Sequence, residues 1–153
     1  YLSHVGLWNS IYNKGIDYAL IFEDDANIPP DFIKNLNISI KNMNNADPDW
    51  DILFLDALCR DCIPYQDNIV KINKFYLMHA YIIRRKAIKK MFDYKMLFPI
   101  NQQIDWCIGS HSNILKLYTV TNGFVKQGDF STDIQIGIKK HKNINPNSEA
   151  PSI

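Results

Sequence analysis

At 153 residues the chain is long enough for one domain with a buried core, and 46% hydrophobic against 22% charged side chains excludes a disordered chain. A net charge of +1 gives no electrostatic footprint for nucleic acid. No apolar run approaches the roughly 20 residues of a membrane-spanning helix, and no signal peptide is visible. The chain opens on Tyr1 rather than Met, inside an expected helix, so the missing signal carries little weight and cytoplasmic is only a default location.

Taken in order, Ser3 is expected to cap a helix whose apolar positions are Val5, Leu7, Trp8, Ile11 and Tyr12, with Gly15 as its stop. Tyr18 to Phe22 reads as a short buried strand, and it ends abruptly in Glu23, Asp24 and Asp25. Pro29 and Pro30 introduce a second helix over residues 31–43. A polar turn then leads into a second buried strand, DILFLDA. Cys59 and Cys62 sit in a predicted loop. Their spacing lacks the second ligand pair of a zinc site, and Pro64 follows where a thioredoxin-like site needs a helix; loop cysteines, with a local disulfide as one option, are the simpler reading.

Beyond that loop, IVKIN and LMHAYII read as strands and RKAIKKMFDY as a short helix with Ile88, Met91 and Phe92 on one side. A further helix is expected between Pro99 and Ser110, and late strands at Leu117–Val120 and Phe124–Val125 flank an Asn122-Gly123 turn. Residues 1–138 form the expected domain, and 139–153 a polar tail. The alternation of strands and helices predicts an α/β fold with a mostly parallel sheet.

The densest chemistry lies in ALIFEDDAN, where an apolar strand delivers three carboxylates at its C-terminal end. Ligands of open α/β sheets bind at such ends. Alternation along the strand would send Glu23 and Asp25 to one side and Asp24 to the other. Adjacent acids repel one another, and a hard divalent cation that also holds substrate phosphates relieves that repulsion. The competing reading makes these acids helix caps or partners of surface lysines. Ser3 and His4, in the first helical turn, could contact a phosphate with help from free backbone N–H groups, or His4 could make a structural hydrogen bond. His79, inside an apolar strand, reads as a core or rim histidine. His111 and His141 read as solvent-facing, with His141 the one late candidate for a metal shell. Tyr81 and Trp106 could stack on a sugar ring, although aromatics in apolar segments more often belong to the core.

LSHVGLW followed by YALIFEDDANIPPDF resembles the signature of glycosyltransferase family 25, the lipopolysaccharide-biosynthesis and procollagen-galactosyltransferase type. DPDWDILFLD, HAYIIRRKAIKKMF, PINQQIDW and QGDFSTDI resemble later elements of that family, in order, so the likeness runs from Leu2 to about Ile134. It implies a GT-A-like (Rossmann-like) fold lacking its N-terminal strand–helix–strand section. It also implies a UDP-sugar donor, a divalent metal (manganese, with magnesium as the alternative) and transfer with inversion of galactose or glucose to a glycan or hydroxylysine-type acceptor. By the same likeness Glu23, Asp24 and Asp25 fill the role of a DxD-type motif, with Asp25 a direct metal ligand and Glu23 contacting the metal shell or the nucleotide. Inversion needs a general base, for which Asp105 is the first candidate and Asp133 the second. Two alternatives remain at this point: a non-catalytic relative that binds a sugar or a partner, and an unrelated metal-dependent phosphotransferase.

Overall fold

The computed structural model describes residues 1–128. The helices are α1 (Leu2–Asn13), α2 (Phe32–Ala46), α3 (Arg85–Asp93) and α4 (Ile104–Ser110). The strands are β1 (Tyr18–Phe22), β2 (Ala26–Asn27), β3 (Ile52–Phe54), β4 (Leu58–Gln66), β5 (Ile69–Tyr76), β6 (Ala80–Arg84), β7 (Leu117–Val120) and β8 (Lys126–Gln127). Six of the strands make one sheet in the order β1-β6-β3-β7-β5-β4, and β2 pairs with β8 separately.

The α/β, GT-A-like expectation holds, but the sheet is mixed rather than mostly parallel. Only β3 and β7 pair in parallel; the other four pairings of the large sheet are antiparallel. The reason is the placement of β6. β1 and β3 run the same way with α2 between them, as in a βαβ unit, but β6 inserts between the two and runs against both.

Period-two alternation explains the two core layers. Ile52 and Phe54 face α1 and α3, joining Trp8, Ile11, Tyr81 and Met91, while Leu53 and Leu55 face α2, joining Phe32 and Met43. β3 is therefore buried on both faces, which is why its sequence is an unbroken apolar run. β1 differs from expectation. It is an edge strand, and Tyr18 and Leu20 are exposed. Leu7 is also exposed, and α1 starts from Tyr1 with no side-chain cap, so Ser3 is a residue of the helix rather than its cap. Gly15, at φ +69°, does end that helix, in a left-handed conformation glycine adopts without steric cost.

The predicted cysteine loop is a strand. β4 and β5 form a long bulged hairpin, and Cys59 and Cys62 are joined as a disulfide within β4 across a Cα separation of 6.1 Å. The turn signal is Asp67-Asn68, whose φ values of 48° and 66° are those that twist-matched two-residue hairpins require. Most of β4 is exposed, so it carries little of the apolar alternation that marks a half-buried strand.

Candidate functional site

The strand registers bring the C-terminal ends of β1, β3 and β7 and the N-terminal end of β6 to one end of the sheet. Glu23, Asp24, Asp25, Asp56 and His79 all lie in the segments that leave or enter strands there. β1 stops at Phe22, and the next residues form a turn in which the Ala26 N–H donates to the Glu23 carbonyl at 3.2 Å. The strand alternation expected for the acids therefore does not extend through them. Glu23 and Asp25 take up different partners instead of sharing a face.

Glu23 belongs to a buried hydrogen-bond chain. Trp8 Nε1 donates to the Tyr81 hydroxyl at 3.0 Å, that hydroxyl meets His4 Nδ1 at 2.8 Å, and His4 Nε2 meets Glu23 Oε1 at 2.9 Å. Burial pushes the Tyr81 phenol far above its ordinary value, with the negative charge of Glu23 adding to that and the Trp8 bond opposing it. Tyr81 is thus a protonated donor to Nδ1, which puts the His4 proton on Nε2, facing the carboxylate. Both ring nitrogens of His4 are engaged, so the structural hydrogen bond expected as one option is present. Ser3 stays exposed. Tyr81 is fully buried in this chain and is not a platform for a sugar.

Asp25 turns to the strap formed by β2 and β8. Its Oδ2 accepts a hydrogen bond from Gln127 Nε2 at 2.7 Å, and its carbonyl accepts the Gly128 N–H at 2.7 Å. Its Oδ1 is buried with no hydrogen-bond partner among the described residues. A buried carboxylate oxygen left unpaired is costly, so this atom has the capacity to take a further ligand. Asp24 is exposed, and no lysine or arginine among the described residues pairs with any of the three acids.

Asp56, just beyond β3, was not singled out by sequence reasoning. It meets Lys126 Nζ at 3.3 Å and lies 3.9 Å from His79 Nε2. His79 Nε2 also donates to the Val125 carbonyl at 2.8 Å, which fixes its proton there and leaves the buried Nδ1 as an acceptor without a partner among the described residues. His79 is therefore a rim histidine whose carbonyl also holds the Glu23 N–H at 2.8 Å. Gly123 packs directly against the Asp56 carboxylate, where any Cβ would collide. The signal that could have pointed to Asp56 is its position, the first acid after an apolar strand, as with Glu23.

Asp105 lies in the first turn of α4, where its Oδ2 accepts the Leu77 N–H at 3.3 Å and its Oδ1 the Trp106 N–H at 2.8 Å. It thereby holds Leu77, which has φ +78°, an unfavourable value for a bulky side chain. Asp133, His141 and the expected tail at 139–153 lie outside the described residues.

A divalent cation fits Asp25 in one particular way. Among the described residues no three His, Cys, Asp or Glu side chains gather into a protein-only metal cage. The free Oδ1 suits a cation held by one or two carboxylates together with substrate phosphates, the usual habit of magnesium and compatible with manganese.

The acid turn thus stands at the end of an α/β sheet where β1, β3 and β7 terminate. The family model described as glycosyltransferase family 25 (LPS biosynthesis protein) matches residues 1–109, and the chain belongs to that family. Among curated proteins it is similar to procollagen galactosyltransferase 1 of Danio rerio, with 21% identity over 120 residues, covering 72% of this chain and 20% of that protein. Procollagen galactosyltransferase 2 of Homo sapiens matches at 23% over 97 residues, covering 60% and 16%. Procollagen galactosyltransferase 1-A of Xenopus laevis matches at 24% over 99 residues, covering 61% and 16%. The chain thus spans a fifth or less of the length of these relatives. No described helix is long and apolar enough to cross a membrane.

Proposed function

We propose that this chain carries the donor side of a metal-assisted transferase that moves a hexose from a UDP-sugar, with inversion, to a glycan or hydroxylysine-type acceptor. The observation that carries this reading is the buried Oδ1 of Asp25, without a partner among the described residues, beside two further acids that no described lysine or arginine pairs with. Galactose is favoured over glucose by the names of the relatives.

In this reading Asp25 is the direct ligand of a divalent cation, manganese or magnesium, which when bound would offset charge on the departing diphosphate, and Glu23 contacts the metal shell or the nucleotide. The Gln127 amide keeps the Asp25 carboxylate fixed, so one oxygen stays directed at its ligand. The Trp8–Tyr81–His4 chain does the same for Glu23, with His4 Nε2 donating a hydrogen bond to one oxygen and leaving the other available. Asp24, exposed at the tip of the turn, adds charge next to the nucleotide. In the displacement the acceptor oxygen bonds to the anomeric carbon while the bond to the UDP oxygen breaks. The acceptor proton passes to a carboxylate, with Asp105 and Asp133 as the candidates. Asp105 already holds two backbone N–H groups, so its remaining lone pairs would have to serve.

Calorimetric titration of UDP, with and without manganese, against the intact chain and Asp25→Asn tests the reading. Manganese-dependent UDP binding is expected in the intact chain, and its loss in the variant. If the folded chain binds no nucleotide under either condition, a sugar- or partner-binding relative without turnover takes its place.

A further inference from the structure

A cavity of about 340 Å³ lies between the β4–β5 hairpin and α4. Phe75, Tyr76 and Trp106 give it apolar walls, and Arg60 and Lys74 line it as well. Tyr76 and Trp106 meet edge to face at 5.6 Å, and the Arg60 guanidinium sits 5.1 Å from the centre of the Tyr76 ring. Trp106 is 43% exposed, whereas Trp8 and Trp50 are fully buried, so it is the indole the fold leaves available to a ligand. Gly109 lets α4 approach β5 closely here; a Cβ would stand 3.2 Å from the Asn73 carbonyl and against the Phe75 ring.

The two cations set the ligand's charge. Neither Arg60 nor Lys74 makes an ion pair among the described residues. Asp61, across the hairpin from Lys74, takes a hydrogen bond from Asn73 instead. Aromatic walls with a polar rim accept the C–H face of a sugar ring, and two unpaired cations beside them call for an anionic group on that ring. Position ties this cavity to the acids. Tyr76 is three residues from His79, whose carbonyl holds the Glu23 N–H, and three residues of chain span at most about 11 Å.

We propose that this cavity is a carbohydrate subsite for a sugar ring bearing a carboxylate or a phosphate. Resting on the transferase reading above, it serves as part of the acceptor side. The subsite makes the acceptor, or the residue next to it, an acidic sugar.

Glucose, glucuronate and glucose 6-phosphate share one ring and differ only in the anionic group, so they are the probes. Each is titrated into the full chain, with inorganic phosphate and acetate as anions lacking a ring, by calorimetry and saturation-transfer NMR. One or both acidic sugars should bind at least about tenfold more tightly than glucose, and whichever does identifies the anion. Trp106→Ala should abolish that binding, and Arg60→Gln with Lys74→Gln should reduce it to the level of glucose. Trp106→Phe, which keeps an aromatic face, should retain part of it. No binding of either acidic sugar, equal binding of glucose, equal binding of the bare anions, or full binding by Trp106→Ala would overturn the proposal. UDP binding, followed in the same variants, is expected to stay intact. Its loss in the unmodified chain would count against the donor-site reading and leave the acidic-sugar result to be judged separately.

Discussion

Two acid clusters stand at opposite ends of the same sheet, and they have been treated in opposite ways. Asp47, Asp49 and Asp51 gather where the chain enters β3. There Lys90 Nζ meets Asp51 Oδ2 at 2.6 Å, Lys116 Nζ meets Asp47 at 3.1 Å and Asp49 at 3.3 Å, and Lys86 pairs with Asp49. Asp51 Oδ1, which lacks a hydrogen bond, still lies 3.7 Å from Lys86 Nζ. Glu23, Asp24 and Asp25 gather where the chain leaves β1, and their polar side-chain partners among the described residues are a histidine within a Tyr–Trp chain and a glutamine amide, with no lysine or arginine. The first cluster is charge-balanced by the protein and acts as a structural clasp. The second has no lysine or arginine beside it among the described residues. Acid residues alone do not announce function; acids whose counter-charge is missing do.

The largest expected effect tests the clasp. Asp51→Ala removes a fully buried carboxylate that holds Lys90 and the Lys116 N–H, and should cost about 3 kcal/mol of stability by urea denaturation. A loss well under that would mean the two clusters differ less than their partners suggest. Asp25→Asn should do the reverse. It preserves the shape and the Gln127 contact, leaves stability within about 1 kcal/mol, and weakens manganese-dependent UDP binding by about a hundredfold. A large drop in the urea midpoint would make Asp25 structural and collapse the contrast.

Tyr81→Phe sharpens the comparison further, because it deletes only the hydroxyl that joins Trp8 to His4. Two buried groups then lose a partner, at a cost of about 1–2 kcal/mol in thermal denaturation. His4 should become mobile in NMR spectra of its ring.

The smallest effect is the pH dependence of the clasp. The Lys86 ammonium, first by its hydrogen bond and then by its charge, holds Asp49 down at about 2 against an ordinary 3.8. Asp47 also lies below its ordinary value. Burial alone would raise it, but the Tyr118 hydroxyl, the Asp49 N–H and Lys116 outweigh that. Lowered folded values mean stability that is present above about pH 4 and lost as pH falls through about 2. Asp49 is largely exposed, so its share is below about 1 kcal/mol. Urea midpoints at pH 7 and pH 2.5 should differ less for Asp49→Asn than for the parent chain.

Much of the molecule was legible in its sequence, for physical reasons that also explain the gaps. Helices α1, α2 and α3 carry apolar residues at helical spacing, and β3 is an unbroken apolar run because both its faces are covered. β4 hid because an exposed hairpin strand needs no apolar alternation. The antiparallel insertion of β6 hid because strand order is a tertiary property that periodicity along the chain does not encode. At the site, the acid turn was evident from composition alone. Its wiring was not, since Gln127 reaches Asp25 across 102 positions of sequence and Tyr81 reaches His4 across 77. Asp56 escaped notice because a single acid after a strand is an ordinary feature until Gly123 and Lys126 are folded onto it.

Gly123 carries a consequence for how this protein tolerates change. Its position is neither a deep core site nor a strained turn, and its only demand is that nothing protrude toward Asp56. A library of single variants would find this half-buried position intolerant, out of proportion to its burial. Even alanine would have to displace either Asp56 or the segment that carries Val125, Lys126 and Gln127. Because Gln127 steadies Asp25, one added methyl group would loosen a carboxylate on another loop.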